Sequence, residues 1–247
     1  FARENWLLIE KTDRKTLDEL IDVLKSNTWG TYEYLQVANL LMLEVMKGNR
    51  EYRVAWFELM VHGISKRLIV ATDGDVSPIS IVGVARAGLM EGRAKEAMDF
   101  VRMQMLDLNV SDELRKQVSR LVRALKEFYE GKYAVALEKL DDIEFEDVLL
   151  DIMVYELRFQ CEMEREHAAD PEANAEGAWR AYHDRVKREA SLSPARIGAL
   201  YNKVELYERL ALGSSDLLTH EGKKKFIEEI EASGLKVVDR LWLKRFV

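Results

Sequence analysis

The chain has 247 residues, of which 48% are apolar and 33% charged, a composition that excludes disordered and collagen-like proteins and supplies enough apolar surface for a core. Its formal net charge of −7 disfavours nucleic-acid binding, because an acidic chain repels phosphate backbones. With only 3 prolines and 13 glycines, the chain is also unlike a turn-rich β-sandwich.

Cysteine content and hydropathy bear on the cellular compartment. Cys161 is the single cysteine, so the chain cannot form an intramolecular disulfide, which fits a reducing compartment. No apolar run approaches about 18 residues, so we expect a cytoplasmic protein without a membrane span. The chain begins at Phe1 rather than at methionine, which favours a fragment of a longer protein.

Apolar residues recur at helical spacing along almost the whole chain, as Leu17, Leu20 and Leu24 do near its start. Each of the three prolines follows a serine or an aspartate, and a proline in the first turn of a helix loses no hydrogen bond. We therefore predict helix starts at Pro78, Pro171 and Pro194, and a fourth after Ser111. Glycine readily adopts the left-handed conformation that commonly ends a helix. We therefore predict helix ends at Gly48, Gly74, Gly213 and Gly234.

These signals predict an all-α protein built from antiparallel helical hairpins, since short loops make sequential helices neighbours. We expect a single domain over 1–247, with a candidate subdomain border near 71–77. The predicted helices cover residues 4–11, 14–26, 31–47, 51–70, 78–91, 94–108, 112–130, 133–141, 147–167, 171–190, 194–212, 220–232 and 239–247.

Two of the predicted hairpins form an internal repeat with a period of 39 residues, defined by Gly92 and Gly131. Past each glycine the same offset aligns Ala97 with Ala136, and we expect this small residue to let the two helices of a hairpin approach closely. Before each glycine it aligns Val82 with Leu121, Ala85 with Ala124, and Leu89 with Phe128.

The second unit of the repeat, Gly131-Lys132-Tyr133 followed by Ala136 and Leu140, resembles the turn and second helix of tetratricopeptide repeats. Gly92, Ala97 and Val101 form a weaker copy, so the resemblance covers about 78–141. The C-terminal run from Ala178 to Leu243 is similar to the ends of large uncharacterised bacterial tetratricopeptide-like proteins. The resemblance implies an α-solenoid scaffold and brings no catalytic residues; the alternative is an ordinary helical domain with a chance repeat.

In a stack of hairpins the first helices line a concave face that suits a peptide or a partner helix. Arg86 and Leu125 are equivalent in the repeat, as are Leu89 and Phe128 one turn further on, and these four are the candidate partner-binding residues, although their spacing is equally typical of core positions. The sequence thus predicts a non-enzymatic scaffold or adaptor that binds a protein or peptide. The alternatives are a regulatory or sensor domain that controls an enzyme or DNA-binding partner, a helical enzyme and an RNA-binding repeat.

Four arrangements bear on chemistry or ligand binding, and each has a structural explanation. Glu164 and His167 form a Glu-x-x-His half-motif of di-iron bundles, but no second copy exists, so we expect a solvated helix end, no metal and no cofactor. The acidic run 141–147 is expected to form a loop before the next helix. Cys161 is expected to pack as a small apolar side chain, and Lys223, Lys224 and Lys225 on a solvated helix face.

The last predicted helix, 239–247, is too apolar for a free terminus because it carries Leu241, Trp242 and Phe246. A solenoid exposes an apolar face on its final hairpin unless a further element covers it. We therefore expect the segment to fold back as a capping helix with Trp242 buried; the alternative is that it docks on a partner or on a second copy.

Overall fold

The computed structural model describes residues 19, 21–22, 31–47, 50–69, 76–189, 191–213, 215–233, 240 and 242–247. Within these residues the chain is 79% helical and has no β-strand, which confirms the all-α fold. The α-helices are α1 (Thr31–Lys47), α2 (Arg50–Ser65), α3 (Pro78–Met90), α4 (Ala94–Asp107), α5 (Asp112–Tyr129), α6 (Tyr133–Leu140), α7 (Val148–His167), α8 (Ala175–Lys187), α9 (Pro194–Ala211) and α10 (His220–Ala232). Short 3-10 helices lie at Ser215–Leu218 and Lys244–Phe246.

Two of the three prolines begin helices as predicted. Pro78 and Pro194 occupy the first turn of α3 and α9, each after a serine in extended conformation. The start predicted at Pro171 is wrong: α8 begins four residues later, where the Asn174 side chain accepts a hydrogen bond from the Gly177 N–H at 3.0 Å. Asp170 instead accepts from the Glu172 N–H at 3.0 Å, so it shapes the turn before α8.

Side-chain caps also fix the starts of α5 and α7. Ser111 Oγ accepts a hydrogen bond from the Leu114 N–H at 3.2 Å. Asp147, the last acid of the run 141–147, accepts from the N–H groups of Leu149 and Leu150 at 2.9 and 3.0 Å. The run therefore forms the predicted loop and caps the helix that follows it.

The turns at the repeat glycines have the geometry that their sequence predicts. Gly92 and Gly131 have φ values of +74° and +76°, and Gly213, at the end of α9, has +60°. A left-handed residue lets the chain reverse directly after a helix, and glycine adopts it without steric cost. The ends predicted at Gly48, Gly74 and Gly234, and the helices predicted at 4–11 and 14–26, fall mostly or wholly outside the described residues.

The chain forms two compact units, 1–122 and 123–247. In the first, α1 packs on α2, α2 on α3, and α3 on α4; in the second, α6 packs on α7, α7 on α8, and α8 on α9. Within each of these two series, a helix therefore contacts the next along the chain. The border predicted near 71–77 lies largely outside the described residues.

Each unit has an apolar core that includes two alanines of the repeat. Ala85 and Ala97 in the first unit and Ala124 and Ala136 in the second are fully buried. The largest fully buried side chains are Tyr34, Phe57, Leu41, Leu59, Ile64 and Ile81 in the first unit and Phe159, Tyr182, Tyr207 and Phe226 in the second. Among the helices that the structure describes, none combines the length and the apolarity needed to cross a bilayer.

The C-terminal segment folds back onto the second unit, as predicted. Trp242 is 6% exposed and its ring lies 5.5 Å from that of Tyr207 on α9 and 6.0 Å from that of Phe159 on α7. Its burial accounts for the apolar composition of this segment.

Candidate functional site

A groove of about 480 Å³ opens between α6, α7 and α8 in the second unit. Its floor is a single face of α7, because Tyr155, Arg158, Glu162 and Arg165 follow one another at three- and four-residue spacing. The opposite face of α7 is buried, and it carries Leu157 and Gln160, each 2% exposed. The groove therefore lies over the polar side of an otherwise buried helix.

Three alanines widen the groove at its walls. Ala134 lines it from α6, and Ala178 and Ala181 line it from α8. An alanine extends no further than Cβ, so the space above these positions stays open. The groove therefore exists because these three side chains are small, and a larger side chain at any of the three positions would fill it.

A charge network closes the groove at the C-terminal end of α7. Arg165 donates from Nε to Asp170 at 2.7 Å and pairs through Nη1 with Glu162 at 3.3 Å. Glu162 also accepts from the Asn174 N–H at 3.0 Å, which ties α7 to the start of α8. The Arg165 guanidinium, together with the Glu172 N–H, holds the pKa of Asp170 below its usual value, so the Asp170 carboxylate stays ionised at neutral pH.

The other end of the groove is held by Arg158, whose Nη2 donates to the Leu140 carbonyl at 2.5 Å. Leu140 is the last residue of α6, so its carbonyl has no partner within the helix; it accepts from Arg158 and from the Ile143 N–H at 3.3 Å. Both arginines of the groove therefore have structural partners. Carboxylates outnumber guanidiniums four to two in the lining, through Glu138, Asp141, Glu162 and Glu172, so its electrostatic character is acidic.

The predicted partner-binding residues do not form an exposed surface. Leu89, Leu125 and Phe128 are only 4%, 3% and 7% exposed, and the Phe128 ring packs 5.6 Å from that of Tyr133. Arg86 is half-buried, and its side chain has an interaction partner. Leu89 belongs to the first unit, whereas Leu125 and Phe128 belong to the core of the second.

The predicted solvated helix end is confirmed for His167, the exposed last residue of α7, but is wrong for Glu164. Glu164 is 4% exposed, and its carboxylate accepts a hydrogen bond from Trp242 Nε1 at 2.9 Å. The His167 ring is directed to Phe246, at a centroid distance of 5.3 Å. No three metal-binding side chains come together anywhere in the described ranges.

Cys161 packs as predicted for a small apolar side chain. It is fully buried, and burial raises the pKa of its thiol. A thiol of this kind is a poor nucleophile at neutral pH.

Sequence reasoning missed a buried polar stripe on α7, formed by Glu156, Gln160 and Glu164. Glu156 pairs with Lys203 of α9 at 3.1 Å, and Gln160 donates to the Tyr207 hydroxyl at 3.1 Å. The signal was present as polar residues at four-residue spacing within a helix whose neighbouring positions are apolar. The groove residues gave no comparable signal, because exposed charges at helical spacing are common on any helix.

Compared with known proteins, the chain matches no family model, no curated protein and no solved structure.

Proposed function

We propose that this chain is a non-enzymatic scaffold or adaptor, built as a tetratricopeptide-like stack of helical hairpins, that binds an extended segment of a protein partner. The groove between α6, α7 and α8 carries the proposal, because it is open, polar and lined by three successive helices. Glycine turns at Gly92 and Gly131 and the fully buried Ala97 and Ala136 support the repeat on which the stack rests.

The chemistry of the lining indicates which kind of segment fits. Arg158 and Arg165 are held by a carbonyl and by carboxylates of the chain itself. Glu138 is exposed at the groove wall on α6. An acidic lining attracts lysine and arginine side chains and repels acidic ones, so the preferred partner is a basic segment in extended form.

The lining also supports a binding role over a catalytic one. Among its twelve residues there is no serine, cysteine or histidine, so it holds no nucleophile paired with a histidine base. Arg165 makes ion pairs with Glu162 and Glu172 of the lining, and Arg158 donates to the Leu140 carbonyl, which fixes the shape of the groove.

The test measures the binding of two short synthetic peptides of equal length, one rich in lysine and one rich in glutamate. We expect the chain to bind the lysine-rich peptide preferentially. Ala181→Trp, which fills the groove, should weaken this binding about tenfold or more, equivalent to roughly 1.4 kcal/mol. Ala199→Trp, at an exposed position of α9 outside the groove, is the matched control and should bind as the unsubstituted chain does.

Two outcomes contradict the proposal. In one, neither peptide binds; in the other, Ala181→Trp and Ala199→Trp bind the lysine-rich peptide equally well. A Glu138→Lys variant adds a check on charge, since it should shift the preference toward the glutamate-rich peptide.

A further inference from the structure

The C-terminal segment is held by the second unit in the manner of a bound ligand. This tail segment comprises residues 240–247, of which 240 and 242–247 are described. Its Trp242 ring lies against Phe159 and Tyr207, which are fully buried and belong to α7 and α9. We call Phe159, Glu164 and Tyr207 the tail cradle.

Glu164 is the polar centre of the tail cradle. Its side chain is 3% exposed, and Arg245 of the tail segment meets both of its oxygens, at 2.8 and 3.2 Å. Trp242 Nε1 donates to the same carboxylate at 2.9 Å. A buried carboxylate is stable when a cation and hydrogen-bond donors compensate its charge, and here the tail segment supplies the cation.

Tyr133 of α6 lies next to this centre. Burial, and after it the Glu164 carboxylate, raise the pKa of the Tyr133 hydroxyl, while Arg245 lowers it. Trp242 and Arg245 are three residues apart, which places both on one side of a helical turn. The tail cradle therefore recognises an aromatic residue followed one turn later by an arginine.

Weaker polar contacts surround this centre. Lys223 of α10 donates to the Val247 carbonyl at 2.9 Å, and Arg240 pairs with Glu231 at 2.7 Å, as Lys244 also does. Glu231 is about half exposed, so these pairs lie at the rim. Trp242 is therefore buried at the middle of charged pairs that reach solvent, including Arg245, whose side chain is 59% exposed. A buried aromatic residue inside a solvated charged rim is the anatomy of a protein interface.

We propose that the tail cradle is an exchangeable binding site that accepts the tail segment of a second copy of this chain in place of its own. Every copy carries both the cradle and a segment that fits it, so two copies can exchange segments reciprocally and form a dimer. The tethered segment has the advantage of a high effective concentration. Binding of another copy's tail segment therefore increases when the contacts of the chain's own Trp242 and Arg245 with the tail cradle are weakened. This inference does not depend on the proposed function of the groove.

The test uses full-length chains. A tail variant, Trp242→Ala with Arg245→Ala, keeps the tail cradle and loses its own ligand groups. A cradle variant, Glu164→Gln, keeps the ligand groups and removes the charge that holds Arg245. A fluorescent peptide with the sequence of residues 239–247 is titrated into each chain and followed by anisotropy.

We expect the peptide to bind the tail variant. When Glu164→Gln is added to that variant, the dissociation constant of the peptide should rise at least about tenfold. Mixing the tail variant with the cradle variant should give a one-to-one dimer by size exclusion with light scattering. A Lys187→Ala/Tyr201→Ala chain, altered at exposed positions outside the cradle, is the control and should bind the peptide no better than the unsubstituted chain.

Failure of the peptide to bind a folded tail variant overturns the site. Peptide binding without a mixed dimer overturns the assignment to a second copy. If circular dichroism shows that the tail variant has lost its helices, the same titration is repeated on a milder variant, Trp242→Phe with Arg245→Lys. Peptide binding and formation of the mixed dimer then decide the proposal in the same way.

Discussion

The buried ion pair between Glu156 and Lys203 joins α7 to α9, and the two side chains are 7% and 11% exposed. Removing one partner leaves the other charge buried without this ion pair, which costs about 3–5 kcal/mol in comparable sites, whereas replacing both with apolar residues is often neutral or stabilising. We therefore expect Glu156→Leu alone to lower the free energy of unfolding by that amount, and Glu156→Leu with Lys203→Met to restore most of it. Urea denaturation measures both. A double variant as unstable as the single one would contradict this account.

Ala136 is fully buried at the position where the repeat places a small residue. Ala136→Leu adds three carbon atoms to a packed core, and overpacking of this kind costs about 1–3 kcal/mol. Ala134→Leu, on an exposed position of the same helix, is the control and should change the free energy of unfolding by less than about 0.5 kcal/mol. If thermal and urea denaturation show no loss for Ala136→Leu, the alignment of the repeat is wrong.

Some side-chain environments follow from the sequence and others do not. The environments of Ala136, Cys161 and Trp242 follow from residue size and from apolar composition. Periodicity, however, places Leu125 and Phe128 on a face without saying what covers it, and both are in the core. Glu164 shows the converse problem, because its local sequence is polar while its partners, Trp242 and Arg245, are 78 and 81 residues away.

At the scale of elements, two glycines of the second unit should respond in opposite directions to the same substitution. Gly131 has a φ of +76° and Gly198 lies within α9, and neither has an atom within 4 Å of an added Cβ. Gly131→Ala forces an L-residue into the left-handed region, at a cost of about 1–2 kcal/mol. Gly198→Ala gains about 0.5–1 kcal/mol, because alanine is the better helix former. If both substitutions change the free energy of unfolding in the same direction, alanine at position 131 does not strain the turn.

Helix limits were predictable where a single local signal acted alone. Pro78 and Pro194 mark the starts of α3 and α9 without a competing cap. Before α8, by contrast, Asp170 and Asn174 are both suitable caps, four residues apart. Asp170 accepts from the Glu172 N–H and from Arg165, at 3.0 and 2.7 Å, while Asn174 caps α8. A rule that looks for a cap directly before each proline does not choose between the two.

At the scale of the whole molecule, attachment of the tail segment should depend on acidity. Lys244, and to a lesser extent Arg240, hold the pKa of the Glu231 carboxyl below its usual value. A lowered pKa in the folded state stabilises the fold above the unfolded value of about 4.3, and this contribution is lost as the pH falls through the folded value. The effect is small, because Glu231 is about half exposed.

The measurement compares urea midpoints at neutral and acidic pH for the unsubstituted chain and for Glu231→Gln. The two should differ at neutral pH and converge below about pH 4. Glu228→Gln, which removes one charge from an exposed position of the same helix, controls for net charge. A difference that persists unchanged in acid would show that Glu231 acts through something other than its ion pairs.

Removing the tail segment altogether tests its role in the stability of the second unit. Deletion of residues 240–247 uncovers Phe159 and Tyr207 and deprives the buried Glu164 carboxylate of Arg245. Truncating a buried tryptophan alone costs about 3–5 kcal/mol, and the loss of Arg245 adds to that cost. We expect a lower melting temperature and, because an apolar surface becomes exposed, aggregation that light scattering detects.

A Leu218→Ala chain, altered at a side chain that is 84% exposed, is the control and should melt as the unsubstituted chain does. If the deletion leaves the melting temperature unchanged and causes no aggregation, the tail segment does not act as a cap, whatever its contacts in the folded chain.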